Sequence, residues 1–74
     1  MTAFGAGDYG RAEALFLAFE RENPGDGRVE DTTFLRAVAR QRRGDGDGAA
    51  AAAREYLRKY PGGFRRPEAE RLLR

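Results

Sequence analysis

The chain has 74 residues, enough for one small domain, and contains no cysteine and no histidine. Disulfides, thiolate metal sites and the commonest general base of enzymes are therefore excluded, and we expect no cofactor. The formal net charge is +2. Residues 1–35 carry three arginines and seven acids, a net charge of −4, whereas residues 36–74 carry eleven cations and five acids, a net charge of +6. We treat residues 1–74 as a single domain with oppositely charged halves.

The first predicted helix covers residues 8–22, after a short lead-in that contains Phe4. Asp8 is a typical N-cap residue, because its carboxylate can accept hydrogen bonds from the first amides of a helix. Apolar residues then recur at helical spacing through Phe19. Pro24 disfavours the helical conformation of the residue before it, so the helix is expected to end near position 22.

The second predicted helix covers residues 29–43. Glu30 and Asp31 lie in its first turn and Arg42 and Arg43 in its last turn. This arrangement complements the helix dipole, which favours acids at the beginning and cations at the end. The charge distribution therefore supports the bounds that the apolar spacing predicts.

The third and fourth helices are predicted over residues 48–59 and 67–73. Asp45 or Asp47 caps the third helix, whose alanine-rich start has high helix propensity and lets a neighbouring helix approach closely. Pro67 suits the first turn of the fourth helix, where its missing N–H has no helical partner. Since no strand-like alternation appears anywhere, the sequence predicts an all-α fold.

Residues 7–26 and 44–63 resemble each other at a spacing of 37 positions. Both segments start with Gly-Asp, continue through alanines and an aromatic residue, and end in Pro-Gly. A period in the thirties is typical of helical repeats, which bury their apolar faces by stacking. We therefore expect antiparallel helical hairpins stacked as a short solenoid of about four helices.

The repeated segment resembles the tetratricopeptide repeat. In the first copy the residues that match are Gly7, Asp8, Tyr9, Ala12, Phe16, Phe19 and Pro24, and in the second they are Gly44, Asp45, Ala49, Tyr56 and Pro61. The Tyr-Pro ending at position 61 and a period above 34 are most similar to bacterial periplasmic repeats of the Tol–Pal-associated and outer-membrane-assembly lipoprotein type. The resemblance implies a non-enzymatic scaffold that binds another protein or peptide. It implies a periplasmic location if the parent protein follows that family, and a cytoplasmic one otherwise.

In this interpretation the chain begins and ends with half a repeat unit. We expect it to be a fragment or the C-terminal part of a larger bacterial protein, or to associate with another copy through its end helices. The alternative is a monomer in which the lead-in with Phe4 covers the exposed face of the first helix. The opposite net charges of the two halves favour head-to-tail contact.

Helical spacing predicts that the aromatic residues pack in the core, and not that they form a stacking platform for nucleobases. Phe19 and Tyr56 are each expected in a seam between helices.

Glu13 and Glu20 lie seven positions apart on the first helix and are expected on its solvent-exposed side. No residue is a convincing catalytic candidate, because no nucleophile stands with a base.

Residues 44–48 alternate glycine and aspartate. They lack the later ligands of a calcium loop and the lysine of a phosphate loop, so we interpret them as a turn with an N-cap and predict no metal site. No stretch of the chain approaches the roughly 18 apolar residues of a membrane span.

The candidate partner-binding residues are five arginines of the predicted second and third helices: Arg36, Arg40, Arg43, Arg54 and Arg58. A basic helical face attracts an acidic protein segment or nucleic-acid phosphate, although many such faces only keep a domain hydrated. No known nucleic-acid-binding motif accompanies these arginines. An acidic protein partner is therefore the favoured hypothesis, and a nucleic-acid-associated helical domain is the alternative.

Overall fold

The structure is a computed structural model that describes residues 7–73. Four helices occupy this part of the chain: α1 (Tyr9–Glu22), α2 (Val29–Arg42), α3 (Gly46–Lys59) and α4 (Arg66–Arg71). No strand occurs within the described residues, so the predicted all-α class is confirmed. None of these helices is long and apolar enough to cross a membrane. The predicted lead-in with Phe4 and the terminal Arg74 lie outside the described residues.

Aspartate side chains cap the beginnings of α1 and α3. The Asp8 carboxylate accepts a hydrogen bond from the Arg11 amide at 3.2 Å, and the Asp45 carboxylate accepts one from the Gly48 amide at 2.8 Å. Each bond satisfies an amide that the first turn of a helix would leave without a partner. Because Asp45 caps α3 and Asp47 does not, α3 begins two residues before its predicted start.

The first residues of the helices recur at a spacing of 37 positions. α1 and α3 both have 14 residues and start 37 positions apart, and the first residues of α2 and α4 are also 37 positions apart. Gly7 and Gly44, which precede the two capping aspartates, have φ angles of 84° and 87°. A residue with a Cβ atom is strained in that region, which explains glycine at both positions. The two segments thus share local conformation as well as sequence.

The main core lies between α2, α3 and α4. Phe34 and Tyr56 meet edge to face, with ring centroids 5.9 Å apart, and Tyr56 is fully buried, as predicted. Small side chains surround this pair and allow the helices to approach closely. The buried cluster consists of Phe34 and Ala37 on α2, Ala52, Ala53 and Tyr56 on α3, and Ala69 on α4.

Consecutive helices make the extensive contacts, so α1 packs mainly against α2. Ala12 and Phe16 are buried in this seam, but the other flank of α1 remains open to solvent. Leu15 is 49% exposed and Phe19 is only partly buried. Phe19 therefore lies at the edge of the interface between α1 and α2, and it is more exposed than its helical spacing predicted.

Candidate functional site

Arg36 lies in the interior between three helices. Its guanidinium donates to both carboxylate oxygens of Glu20 on α1, at 2.9 and 3.0 Å, and to Glu55 on α3 at 3.2 Å. Only 7% of the Arg36 side chain and 9% of the Glu20 side chain are exposed. Burial by itself lowers the pKa of Arg36, but the hydrogen bonds to Glu20 and Glu55 outweigh it and raise that pKa above its usual value.

Arg40 and Arg43 extend these ion pairs toward the end of α2. We call the whole network the ionic seam; its members are Glu13, Glu20, Arg36, Arg40 and Arg43. The Arg40 Nε donates to Glu13 at 2.6 Å, and its Nη1 donates to the backbone carbonyl of Gly48 at 3.1 Å. Arg43 pairs with Glu13 at 3.3 Å and with Asp45 at 3.4 Å. These two arginines therefore join α1 and the start of α3 to α2.

The expectation that Glu13 and Glu20 face solvent is wrong. Their side chains are only 14% and 9% exposed, because the seven-residue spacing places both against the arginines of α2. As a consequence, three of the five candidate arginines already bind carboxylates of the same chain. A partner would have to compete with these ion pairs for Arg36, Arg40 and Arg43.

Arg54 and Arg58 are the two candidates that are exposed and have no carboxylate partner among residues 7–73. Both project from α3. They lie four positions apart, so they occupy one side of the helix. Among the five candidates, these two offer positive charge to a partner at the smallest cost to the fold.

An apolar cleft lies on the open flank of α1. It has a volume of about 230 Å³, and we call it the α1 cleft; its lining residues are Leu15, Phe16, Phe19, Arg28 and Thr32. The Arg28 guanidinium lies 5.0 Å from the centre of the Phe19 ring and also pairs with Asp26 at 2.9 Å. The candidate residues chosen from the sequence did not include this cleft. Its signal was the pair Leu15-Phe16 beside Phe19, an apolar arc too wide for one packed seam.

Phe64 is a second exposed apolar residue that sequence reasoning did not select. Its side chain is 91% exposed, but its backbone amide donates to the Glu30 carboxylate at 2.9 Å. The same carboxylate oxygen accepts a hydrogen bond from the Tyr56 hydroxyl at 2.7 Å. The loop between α3 and α4 is thus attached to the first turn of α2, which fixes the backbone that carries Phe64.

The buried phenol of Tyr56 predicts a loss of stability at alkaline pH. Burial, and next the Glu30 carboxylate, raise the pKa of Tyr56 from 10.0 to about 12. Because the pKa of Tyr56 is higher in the folded state than in the unfolded state, the neutral phenol stabilises the fold fully below pH 10. This stabilisation is lost as the pH rises through the folded-state pKa of about 12. Between pH 10 and 12 the free energy of unfolding should fall more steeply for the wild type than for Tyr56→Phe. Parallel pH profiles of the two proteins, measured by urea denaturation, would contradict this prediction.

The described residues hold no group of three acidic, histidine or cysteine side chains placed to bind a metal ion. In the Gly44–Gly48 segment, the Asp45 carboxylate is already engaged by the Gly48 amide and by Arg43, and these contacts lower its pKa.

Comparison with family models, curated proteins and solved structures finds no match to the chain.

Proposed function

We propose that the chain is a non-enzymatic protein-interaction module, built as a short tetratricopeptide-like array of helical hairpins. The fold part of this proposal is supported by the consecutive pairing of the helices and by helix starts that recur every 37 positions. In such arrays each unit covers the apolar face of the next, and the surfaces that remain open bind partners.

The observation that carries the proposed function is the α1 cleft. Apolar side chains that stay exposed in such a cleft are costly in water, and burying them against another protein would remove that cost. Leu15 and Phe19 form its open part, and Arg28 provides a charge at its rim. An apolar centre with a polar rim is the usual composition of a protein interface.

The alternative function, nucleic-acid binding, has weaker support. Affinity for nucleic acid depends on the number of phosphates that free cations neutralise. Arg36, Arg40 and Arg43 are engaged by Glu13, Glu20 and other groups of the chain, which leaves Arg54 and Arg58 as the free members of the candidate set. A protein partner that uses the apolar cleft is therefore the better-supported proposal, with acidic groups near these two arginines as a secondary contact.

Affinity capture with matched variants tests the proposal. Proteins from a bacterial lysate retained by the immobilised wild-type chain should be lost with Leu15→Asp, which places a charge in the α1 cleft, and kept with Ala14→Asp. Position 14 is the exposed neighbour of position 15 on the same helix, so the control adds the same charge outside the cleft. Identical sets of captured proteins for the two variants would contradict the proposal.

The alternative function predicts a different result. RNA or DNA binding would weaken steeply with salt, would be lost in the double charge reversal Arg54→Glu/Arg58→Glu, and would be unaffected by Leu15→Asp. Filter binding of all three proteins at several salt concentrations separates the two functions.

A further inference from the structure

The α1 cleft has a filled counterpart within the same molecule. Each of its five lining residues stands 37 positions before a residue that surrounds Phe34 in the core. We call this second set the Phe34 socket. Its members are Ala52, Ala53, Tyr56, Arg65 and Ala69. They correspond, in this order, to Leu15, Phe16, Phe19, Arg28 and Thr32 of the cleft. Four of them form one buried cluster with Phe34, and the Arg65 guanidinium lies 5.7 Å from the centre of the Phe34 ring.

In the Phe34 socket, α2 provides the side chains that cover α3. Phe34 fills the socket and is 7% exposed, and Ala37, one turn later, is fully buried beside it. Asp31, three residues before Phe34, pairs with Arg65 at 3.8 Å. The helix that fills the socket therefore carries an acid, an aromatic residue and a small residue at successive spacings of three positions.

On this basis, which rests on the function proposed above, we propose that the α1 cleft docks an amphipathic helix of a partner protein in the way that the Phe34 socket holds α2. The occupant carries a large apolar side chain for the cleft and a small residue one turn later. An acid one turn earlier pairs with Arg28, the counterpart of Arg65. The Arg28 side chain is 75% exposed and pairs with Asp26 at 2.9 Å, so the acid of the occupant shares the guanidinium with Asp26 or displaces it.

A second copy of this chain is a poor occupant. Its α2 is already enclosed by α1 and α3, and in α4 the residue that corresponds to Phe34 is Arg71. A helix from another protein remains as the occupant whose chemistry fits.

The chain's own α2 sequence is the probe for this proposal. A capped peptide of residues 26–43 is titrated into the full-length, isotope-labelled protein, and amide and methyl shifts are recorded. We expect saturable shifts centred on Leu15, Phe16, Phe19 and Thr32, with weak affinity because an isolated helix of this length is only partly formed. The Phe34→Ala peptide should bind at least about tenfold more weakly, a loss of about 1.4 kcal/mol.

Variants of the protein complete the test. Leu15→Asp should abolish the shifts and Ala14→Asp should preserve them. Absence of saturable shifts at about 1 mM peptide, or shifts centred on Tyr56 and Ala53, would overturn the proposal. If Phe4→Ala moves the signals of the cleft without peptide, the cleft belongs to the chain's own first residues and the proposal is also overturned. If peptide binding fails while Leu15→Asp still abolishes partner capture, the interaction function stands and only the identity of the occupant is wrong.

Discussion

Replacing Arg36 by methionine is expected to destabilise the protein by about 3–5 kcal/mol, the usual effect of removing one member of a buried ion pair. The substitution leaves the Glu20 carboxylate, 9% exposed, without its cation in the seam between α1 and α2. Glu55 keeps Lys59 at 3.2 Å, so the loss is concentrated at Glu20. Since a domain of this size has a total stability of only about 4–11 kcal/mol, Arg36→Met is expected to lose a large part of it.

The double variant Arg36→Met/Glu20→Met separates the loss of the pair from the burial of an isolated charge. Replacing both members by apolar side chains of similar length is often neutral or stabilising, so the double variant should be more stable than Arg36→Met alone. Arg58→Met is the matched control, because Arg58 is exposed and should change stability by less than about 0.5 kcal/mol. Urea denaturation followed by circular dichroism gives all three values. Equal midpoints for Arg36→Met and Arg58→Met would show that the buried pair does not stabilise the fold.

The sequence predicted the helices well because local signals mark their ends. Asp8 and Asp45 follow glycines in the left-handed conformation and cap α1 and α3, and prolines and glycines lie in the turns. These signals act over three or four residues and do not depend on tertiary packing. Two bounds differ from the prediction by two residues. The start of α3 was missed because two aspartates two positions apart both qualified as caps, and α4 ends at Arg71, before the predicted end at position 73.

The ionic seam could not be deduced in the same way, because a charged residue on a helix is normally expected in solvent. Its signal was a match of spacings: Glu13 and Glu20 are seven positions apart, and so are Arg36 and Arg43. Two antiparallel helices with such complementary pairs can face each other along two turns. Tertiary contact, which a single helix does not reveal, decides that these groups pair with each other.

The partial exposure of Phe19 has a similar origin. Phe19 and its counterpart Tyr56 occupy corresponding positions of similar helices. Within residues 7–73, a preceding helix, α2, covers Tyr56, and none covers Phe19. Helical periodicity identifies the apolar face of α1 but does not tell which neighbour covers it. The same difference separates the open α1 cleft from the filled Phe34 socket.

The second large effect is expected at Gly63, where alanine should destabilise the fold. The φ angle of Gly63 is not positive, so the loss comes from the added Cβ atom and not from backbone strain. A Cβ atom at Gly63 would meet the Tyr56 hydroxyl and would lie 2.6 Å from the Glu30 carboxylate. Tyr56 is fully buried and its hydroxyl bonds to Glu30 and to the Arg65 amide, so it has little room to move. Crowding of this kind typically costs about 1–3 kcal/mol, and a displaced buried hydrogen bond costs a further 1–3 kcal/mol or so.

Gly62→Ala is the matched control for Gly63→Ala. Neither glycine has a positive φ, and a Cβ atom at Gly62 would have no neighbour within 4 Å. Alanine restricts the unfolded chain more than glycine does. The free energy of unfolding of Gly62→Ala should therefore equal that of the wild type or exceed it by up to about 1 kcal/mol. Removing the hydroxyl removes the closest contact of the Cβ atom and leaves those with Glu30 and the Tyr56 ring carbon Cζ. Gly63→Ala should therefore cost less in a Tyr56→Phe background than in the wild type, but should still destabilise the fold. Thermal and urea unfolding of the four proteins measure this coupling, and additive effects of the two substitutions would show that the Tyr56 hydroxyl is not what excludes a side chain at Gly63.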